Sequence, residues 1–289
     1  MNEVITIFAT DVTARLRETK NSFEGEYASM ISELTRLHTQ GVPLGITVIS
    51  KEKSFLNGRG KTIYLSGKDS VEIDLLSGNP TYVAEEFVFV IERFFSDGSI
   101  YKNTLKELLI RNLVEMMKYT REDDLKVRDI TNVLRDKEKI ENELERLKKT
   151  SGFENIVKFF EREILGNNEK EVFEVIESLY VELEMINSAL GVQKKPLYIN
   201  KHFEKGGVVN FVVGENRFFK APTVSEVLAH FIVLKVQNAI LRNCHETFKV
   251  PHFVFIENYS KYKNPDMDFI IQNEVFNHKT SRVSFNYTL

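Results

Sequence analysis

The chain has 289 residues, of which 39 are Lys or Arg, 42 are Asp or Glu and 42% are hydrophobic, giving a formal net charge of −3. That balance supplies a sizeable core and excludes both a disordered tail and a whole-protein basic field for wrapping nucleic acid, leaving only a local basic face. The single cysteine, Cys244, excludes an intramolecular disulfide and a multi-cysteine zinc site, and points to a reducing, cytoplasmic setting.

The opening MNEVITIFATDVTARLRETK has no cationic region ahead of its apolar run, and no stretch reads as a membrane span, so a soluble chain without membrane contact is expected. Val12, Leu16, Phe23, Tyr27, Ile31, Leu34 and Leu37 recur at helical spacing, which predicts one or two helices interrupted near Gly25. From Val42 to Leu76 the text turns β-branched and alternating. GITVIS, KTIYLSG and SVEIDLLSG, separated by Gly, Ser and Asn, predict a short antiparallel meander. Pro80-Thr81 opens a helix that Ser96-Asp97-Gly98 closes.

The middle of the chain carries almost no strand signal. Ile130, Leu134, Ile140, Leu144 and Leu147 alternate near three and four, as in a helical hairpin, and Val172, Val175, Ile176, Leu179, Leu183 and Ile186 mark a further amphipathic helix. After Pro196, LYINKHF and GVVNFVV flank Glu204-Lys205-Gly206-Gly207, which predicts a β-hairpin. TVSEVLAHFIVLKVQNAILRN reads as a long buried helix, HFVFIEN as a buried strand and RVSFNYTL as one more strand at an edge. The expected class is α+β: N-terminal helices and an antiparallel meander (1–100), a helical hairpin or bundle (101–192), and a C-terminal sheet packed on a long buried helix (193–289).

Gly60-Lys61-Thr62 has the letters that end a phosphate-binding loop. The first glycine of that pattern would fall on Phe55, and Ile63-Tyr64-Leu65 reads as a strand where a helix must begin, so a lysine-bearing turn between strands is expected. Ser77-Gly78-Asn79 has the strand-to-helix context without the letters, with Val83, Ala84 and Glu85 at the glycine, lysine and Ser/Thr places.

The order of the C-terminal elements resembles the C-terminal lobe of ABC-type ATPase heads of the structural-maintenance-of-chromosomes and DNA-repair class. Ser225-Glu226 stands at the family's helix-opening serine, Glu257 at its Walker B acid and Asn258 at its catalytic glutamate, with the Gly78 turn as N-terminal lobe. The signature glycines and the phosphate-loop lysine are missing, so the resemblance implies a head-like, DNA-associated assembly protein without ATP turnover. An unrelated α+β fold is the other reading.

His38, His202, His230, His245, His252 and His278 are scattered, and a metal held by His245, His252, Glu246 and Glu257 would need a fixed face that the helix-to-strand change denies. Cys244 and His245 are adjacent on a helix and diverge, so Cys244 reads as a small core residue. No catalytic residue, metal or cofactor is assigned. FIENYSKYKNP interleaves Tyr259, Lys261, Tyr262 and Lys263, which with Lys194 and Lys195 form the candidate nucleic-acid contacts. The leading expectation is a non-enzymatic, self-associating assembly or scaffold protein acting through helical and strand-edge interfaces on itself or another protein. The alternative is a nucleic-acid-binding protein of a mobile element, virus or chromosome-associated complex.

Overall fold

The computed structural model of the chain describes residues 16–19, 26–51, 54–65, 71, 73–96, 98–121, 125–167, 169–190, 196–214, 223–244, 250–262, 264 and 283–288. The chain forms two compact units, one from residues 1–73 together with 195–289 and the other from 74–194. The class is α+β, as expected, but the two predicted sheet regions join in one sheet.

In the first unit, six strands are all parallel: β1 (Leu16–Thr19), β2 (Gly45–Ser50), β3 (Lys61–Tyr64), β4 (Val208–Val212), β5 (His252–Ile256) and β6 (Val283–Thr288), in the order β1-β6-β5-β2-β4-β3. Gly45 pairs with His252 and Ile46 with both Val208 and Phe253, so β2 sits between β4 and β5. Both β2 and β5 are buried along their whole length: HFVFI runs apolar as such a strand does, and the alternation read in GITVIS marks no exposed face, because Thr47 and Ser50 are buried too. Helix α1 (Glu26–Thr39) links β1 to β2.

The antiparallel meander is therefore corrected. GITVIS and KTIY are strands, but β4, 162 residues further along the chain by the register Ile46↔Val208, is wedged between them. The hairpin at Gly206-Gly207 is corrected too. INKHFEK forms helix α8 (Ile199–Lys205), and Gly206 closes it in the left-handed region at φ 66°, where its N–H and that of Gly207 reach back to the last helical carbonyls. A Lys-Gly-Gly run serves a helix C-terminus as readily as a turn.

Between β3 and β4 the chain builds the helical unit: α2 (Pro80–Phe95), α3 (Ile100–Thr120), α4 (Val127–Leu134), α5 (Lys137–Leu147), α6 (Glu154–Phe159) running into a π turn over Phe160–Leu165, and α7 (Lys170–Leu190). Asn79, Ser99 and Asp136 cap α2, α3 and α5 by accepting from Thr81, Lys102 and Lys139 N–H groups. Ile130, Leu134, Ile140, Leu144 and Leu147 are all buried, on two short helices broken at Arg135-Asp136. Inside this unit Lys106 Nζ donates to Glu182 Oε1 at 2.6 Å, to Ser178 Oγ at 3.1 Å and to the Phe95 carbonyl at 3.0 Å, with the Lys106 and Glu182 side chains both buried. The helical segment is an insertion between two strands of one sheet, so a helical bundle is not the plan of the whole chain.

Helix α9 (Val224–Cys244) joins β4 to β5, and Val227 to Leu234 are buried without a break. Its Val224–Leu241 stretch has the length and mean hydropathy (1.4) of a membrane span, against the expectation that none would; 78% of it is buried within the fold, as a core helix requires.

Polar groups fix how α8, β2 and β5 meet. Thr47 Oγ1 lies 3.0 Å from His202 Nε2 and 2.9 Å from His252 Nε2, all three buried. A hydroxyl carries one proton, so Thr47 donates to at most one of the two imidazoles and accepts from the other ring or from both. A Cβ on Gly45 would strike the His252 ring and one on Gly207 the His202 ring, so both sites require glycine. His252 stacks on Phe203 at 3.8 Å.

Burial keeps both imidazoles neutral: His202 is lowered from 6.5 to about 4, and His252 falls well below 6.5 through burial and the neighbouring His202. The unfolded chain takes up these protons below about pH 6.5 and the fold refuses them, so stability falls as pH drops from about 6.5 to about 4, by up to ~1.4 kcal/mol per pH unit for each histidine. Urea unfolding at pH 7.5, 6 and 5 measures this slope, and Thr47→Val lowers stability at every pH. In the helical unit, Lys106→Met costs about 3–5 kcal/mol by removing the ammonium beside buried Glu182, and Lys106→Met with Glu182→Leu recovers most of it in the same assay.

Candidate functional site

In an open parallel sheet, ligands bind beyond the carboxyl ends of the strands, where neighbouring strands lead off in opposite directions. From β5 the chain proceeds to β6 on one side, and from β2 it proceeds to β3 on the other; β5 and β2 are neighbours. The switch crevice therefore opens at Ser50-Lys51 and Glu257-Asn258.

The two strand ends are joined there. Glu257 N–H donates to the Ile49 carbonyl at 2.9 Å, and Lys51 N–H donates back to Glu257 Oε2 at 2.7 Å. Asn258 then turns the chain in the left-handed region at φ 59°, a conformation asparagine tolerates. On the other side of β2, buried Asn210 of β4 accepts from Phe55 N–H at 2.8 Å and donates to Ser50 Oγ at 2.8 Å and to the Phe211 carbonyl at 3.1 Å. FLNGRG is thus pinned to β4 through its first residue, and Lys61 lies beyond it as the exposed first residue of the edge strand β3. The lysine-bearing turn does link two strands, but they are not each other's partners.

The loop after β5 carries the basic and aromatic candidates. Tyr259 is 1% exposed and its hydroxyl accepts from Gln237 Nε2 at 2.7 Å, while Tyr262 is 5% exposed and packs 4.9 Å from the His230 ring. Burial, then the charges of Glu226 and Glu257, push the Tyr262 phenol above its usual range. His230 bridges α9 to the loop, with Nδ1 3.0 Å from the Glu226 carbonyl and Nε2 2.9 Å from that of Lys261. Both tyrosine rings thus anchor the loop from within, and Lys261 is the exposed member. Lys263, Lys194 and Lys195 lie outside the described residues, as do His245, Glu246 and His278.

His252 and Glu257 stand at opposite ends of one strand, roughly 16 Å apart at ~3.3 Å per residue, and cannot share a metal. Among the described residues no group of three His, Cys, Asp or Glu side chains could hold one. The Ser77-Gly78-Asn79 turn opens α2 and belongs to the helical unit, not to the chain segments that build the sheet. Of the strand-to-helix crossings among the described elements, β1 to α1 through 20–25 and β4 to α9 through 213–223, the first is not signalled in the sequence. The first merges into a helical pattern, because its strand is only four residues long.

No protein-family model matches the sequence, and no curated protein is similar to it in sequence. The fold is shared with solved structures of conjugative coupling proteins. Bacterial conjugative coupling protein TrwBdeltaN70 aligns over 95% of this chain and 62% of its own at 12% identity and TM-score 0.54. Plasmid coupling protein TrwB in complex with the non-hydrolysable GTP analogue GDPNP aligns over 99% of this chain and 70% of its own at 10% identity and TM-score 0.55. VirB4 of Thermoanaerobacter pseudethanolicus aligns over 96% of this chain and 100% of its own at 13% identity, but its TM-score of 0.47 carries no weight.

This chain spans less than two thirds of the first of these, 62% of its length. The resemblance to ABC-type heads of the chromosome-maintenance class is overturned: the fold is that of coupling proteins. The expectation of a non-enzymatic scaffold is corrected on the same finding: the solved structures that share this fold are conjugative coupling proteins, one of them in complex with a GTP analogue.

Asn210→Leu removes the side chain that joins Phe55, Ser50 and β4, and with it the acceptor of the Phe55 N–H and the donor to Ser50 Oγ. A loss of about 2–4 kcal/mol is expected in chemical denaturation.

Proposed function

We propose that the chain is a self-associating, nucleic-acid-binding component of a mobile-element DNA-transfer assembly, working from the C-terminal edge of its parallel sheet. The observation that supports this reading most is the coupling-protein fold over nearly the whole chain, joined to a polar switch crevice at Lys51, Glu257 and Asn258. TrwB is a conjugative coupling protein of a plasmid, and that role comes to this chain as part of the proposal.

The recognition chemistry proposed is phosphate neutralisation. Lys261 stands exposed on a loop that its tyrosines anchor from within, and Lys263, Lys194 and Lys195 are further candidate contacts on their sequence alone. A net charge of −3 leaves this a local field, so affinity is modest and strongly salt-dependent. With Cys244 as its one thiol, a cytoplasmic location fits the same reading.

Fluorescence anisotropy with single- and double-stranded DNA at 50 to 200 mM salt tests it. Binding that weakens as salt rises is expected, and Lys261→Glu with Lys263→Glu weakens it further and flattens the salt slope by about 1–2. Salt-independent binding, or none to either form, contradicts the proposal.

A further inference from the structure

A solved structure that shares this fold, TrwB, holds a GTP analogue, and this chain's residues do not fit a magnesium nucleotide at the switch point of its sheet. Phosphates are held where a strand passes through a glycine turn into a helix that starts with lysine and Ser or Thr, and an acid at a nearby strand end serves the metal. Two strand-to-helix crossings of the sheet lie among the described elements, β1 to α1 and β4 to α9, and the first has Gly25 followed by Glu26 and Tyr27 at the lysine and Ser/Thr places. Tyr27 is no surrogate hydroxyl at the crevice mouth, because it is 2% exposed and packs edge-on against Phe255 of β5 at 5.7 Å. The second crossing enters α9 through Pro222-Thr223-Val224, with no Gly-Lys pair, and its Gly214 N–H is committed to the Lys51 carbonyl at 2.6 Å.

The strand-end acid is committed as well. Glu257 Oε2 accepts the Lys51 N–H, and its own N–H closes on Ile49, so the carboxylate completes a two-point fastening between β5 and β2 across the switch.

We infer that Glu257 is an interstrand clamp that closes the switch crevice, and that this chain keeps the nucleotide-binding fold without seating a magnesium nucleoside triphosphate there. The clamp replaces the ligand as the bridge between the two strand ends. The inference rests on the fold and on these contacts, and it stands whether or not the chain binds nucleic acid.

The test uses the full chain with ATP or GTP at about 1 mM with magnesium, followed by calorimetry and thermal melting, since a ligand of the native state must raise the melting temperature. No saturable heat and no rise in melting temperature are expected. Glu257→Ala, with no nucleotide present, lowers the melting temperature by about 2–4 °C, the shift that losing one half-buried acceptor between two strands gives in a chain of this size. Glu257→Gln, which keeps one acceptor oxygen, loses less and keeps the comparison open if the alanine variant fails to fold. Saturable binding of either triphosphate overturns the inference, as does a Glu257→Ala protein that melts with the wild type.

Discussion

The constraint on which the structure depends is that β2 and β5 run parallel, side by side and buried on both faces. A parallel pair cannot be closed by a tight turn, so the chain between them must travel, and here it makes room for the whole helical unit and for β3 and β4. Parallel order also places all strand ends on one edge. The carboxyl ends of β2 and β5 therefore meet at Lys51, Glu257 and Asn258, and the opposite end of the same strands is tied by Thr47, His202 and His252. Both ends of the β2–β5 pair are thus fastened by side chains, one by neutral imidazoles and a hydroxyl, the other by a carboxylate.

Much of the element content is legible in the sequence. HFVFI is a strand because five successive residues suit a pleat covered on both faces, and VSEVLAHFIVLKVQNAIL is a helix because its apolar residues leave no polar stripe for a strand period. Pro80 after Asn79 marks a helix start through capping chemistry that operates over three or four residues, whereas the cap at Ser99 ahead of Ile100 comes only from the structure. Strand partnership is not legible. Val208 and Phe253 reach Ile46 from far along the chain, and nothing in GITVIS names them; local turn residues such as Gly60 and Gly206 suggest hairpins that do not form.

The candidate site is legible in part. Glu257 reads as an acid ending a buried strand, and it does end one, at the switch point of the sheet. Its carboxylate's actual partner is a backbone N–H at Lys51, which has no sequence signal at all. Tyr259 and Tyr262 read as stacking platforms because aromatic and basic residues alternate there, yet Gln237 and His230 on α9 take them inward. The signal that does exist for such anchoring is a polar residue in the middle of an apolar element, as at Gln237, Asn210 and Thr47, because a buried polar group must find a partner.

Hydrogen exchange of the full chain with and without single-stranded DNA bears most directly on the claim that the C-terminal edge of the sheet is the working surface. The account predicts slowed exchange at Lys51 and from Asn258 to Tyr262 on adding DNA, and no change at Gly45 and His252 at the far ends of the same strands. Protection confined to residues 74–194, or spread equally over both ends of the sheet, would contradict it.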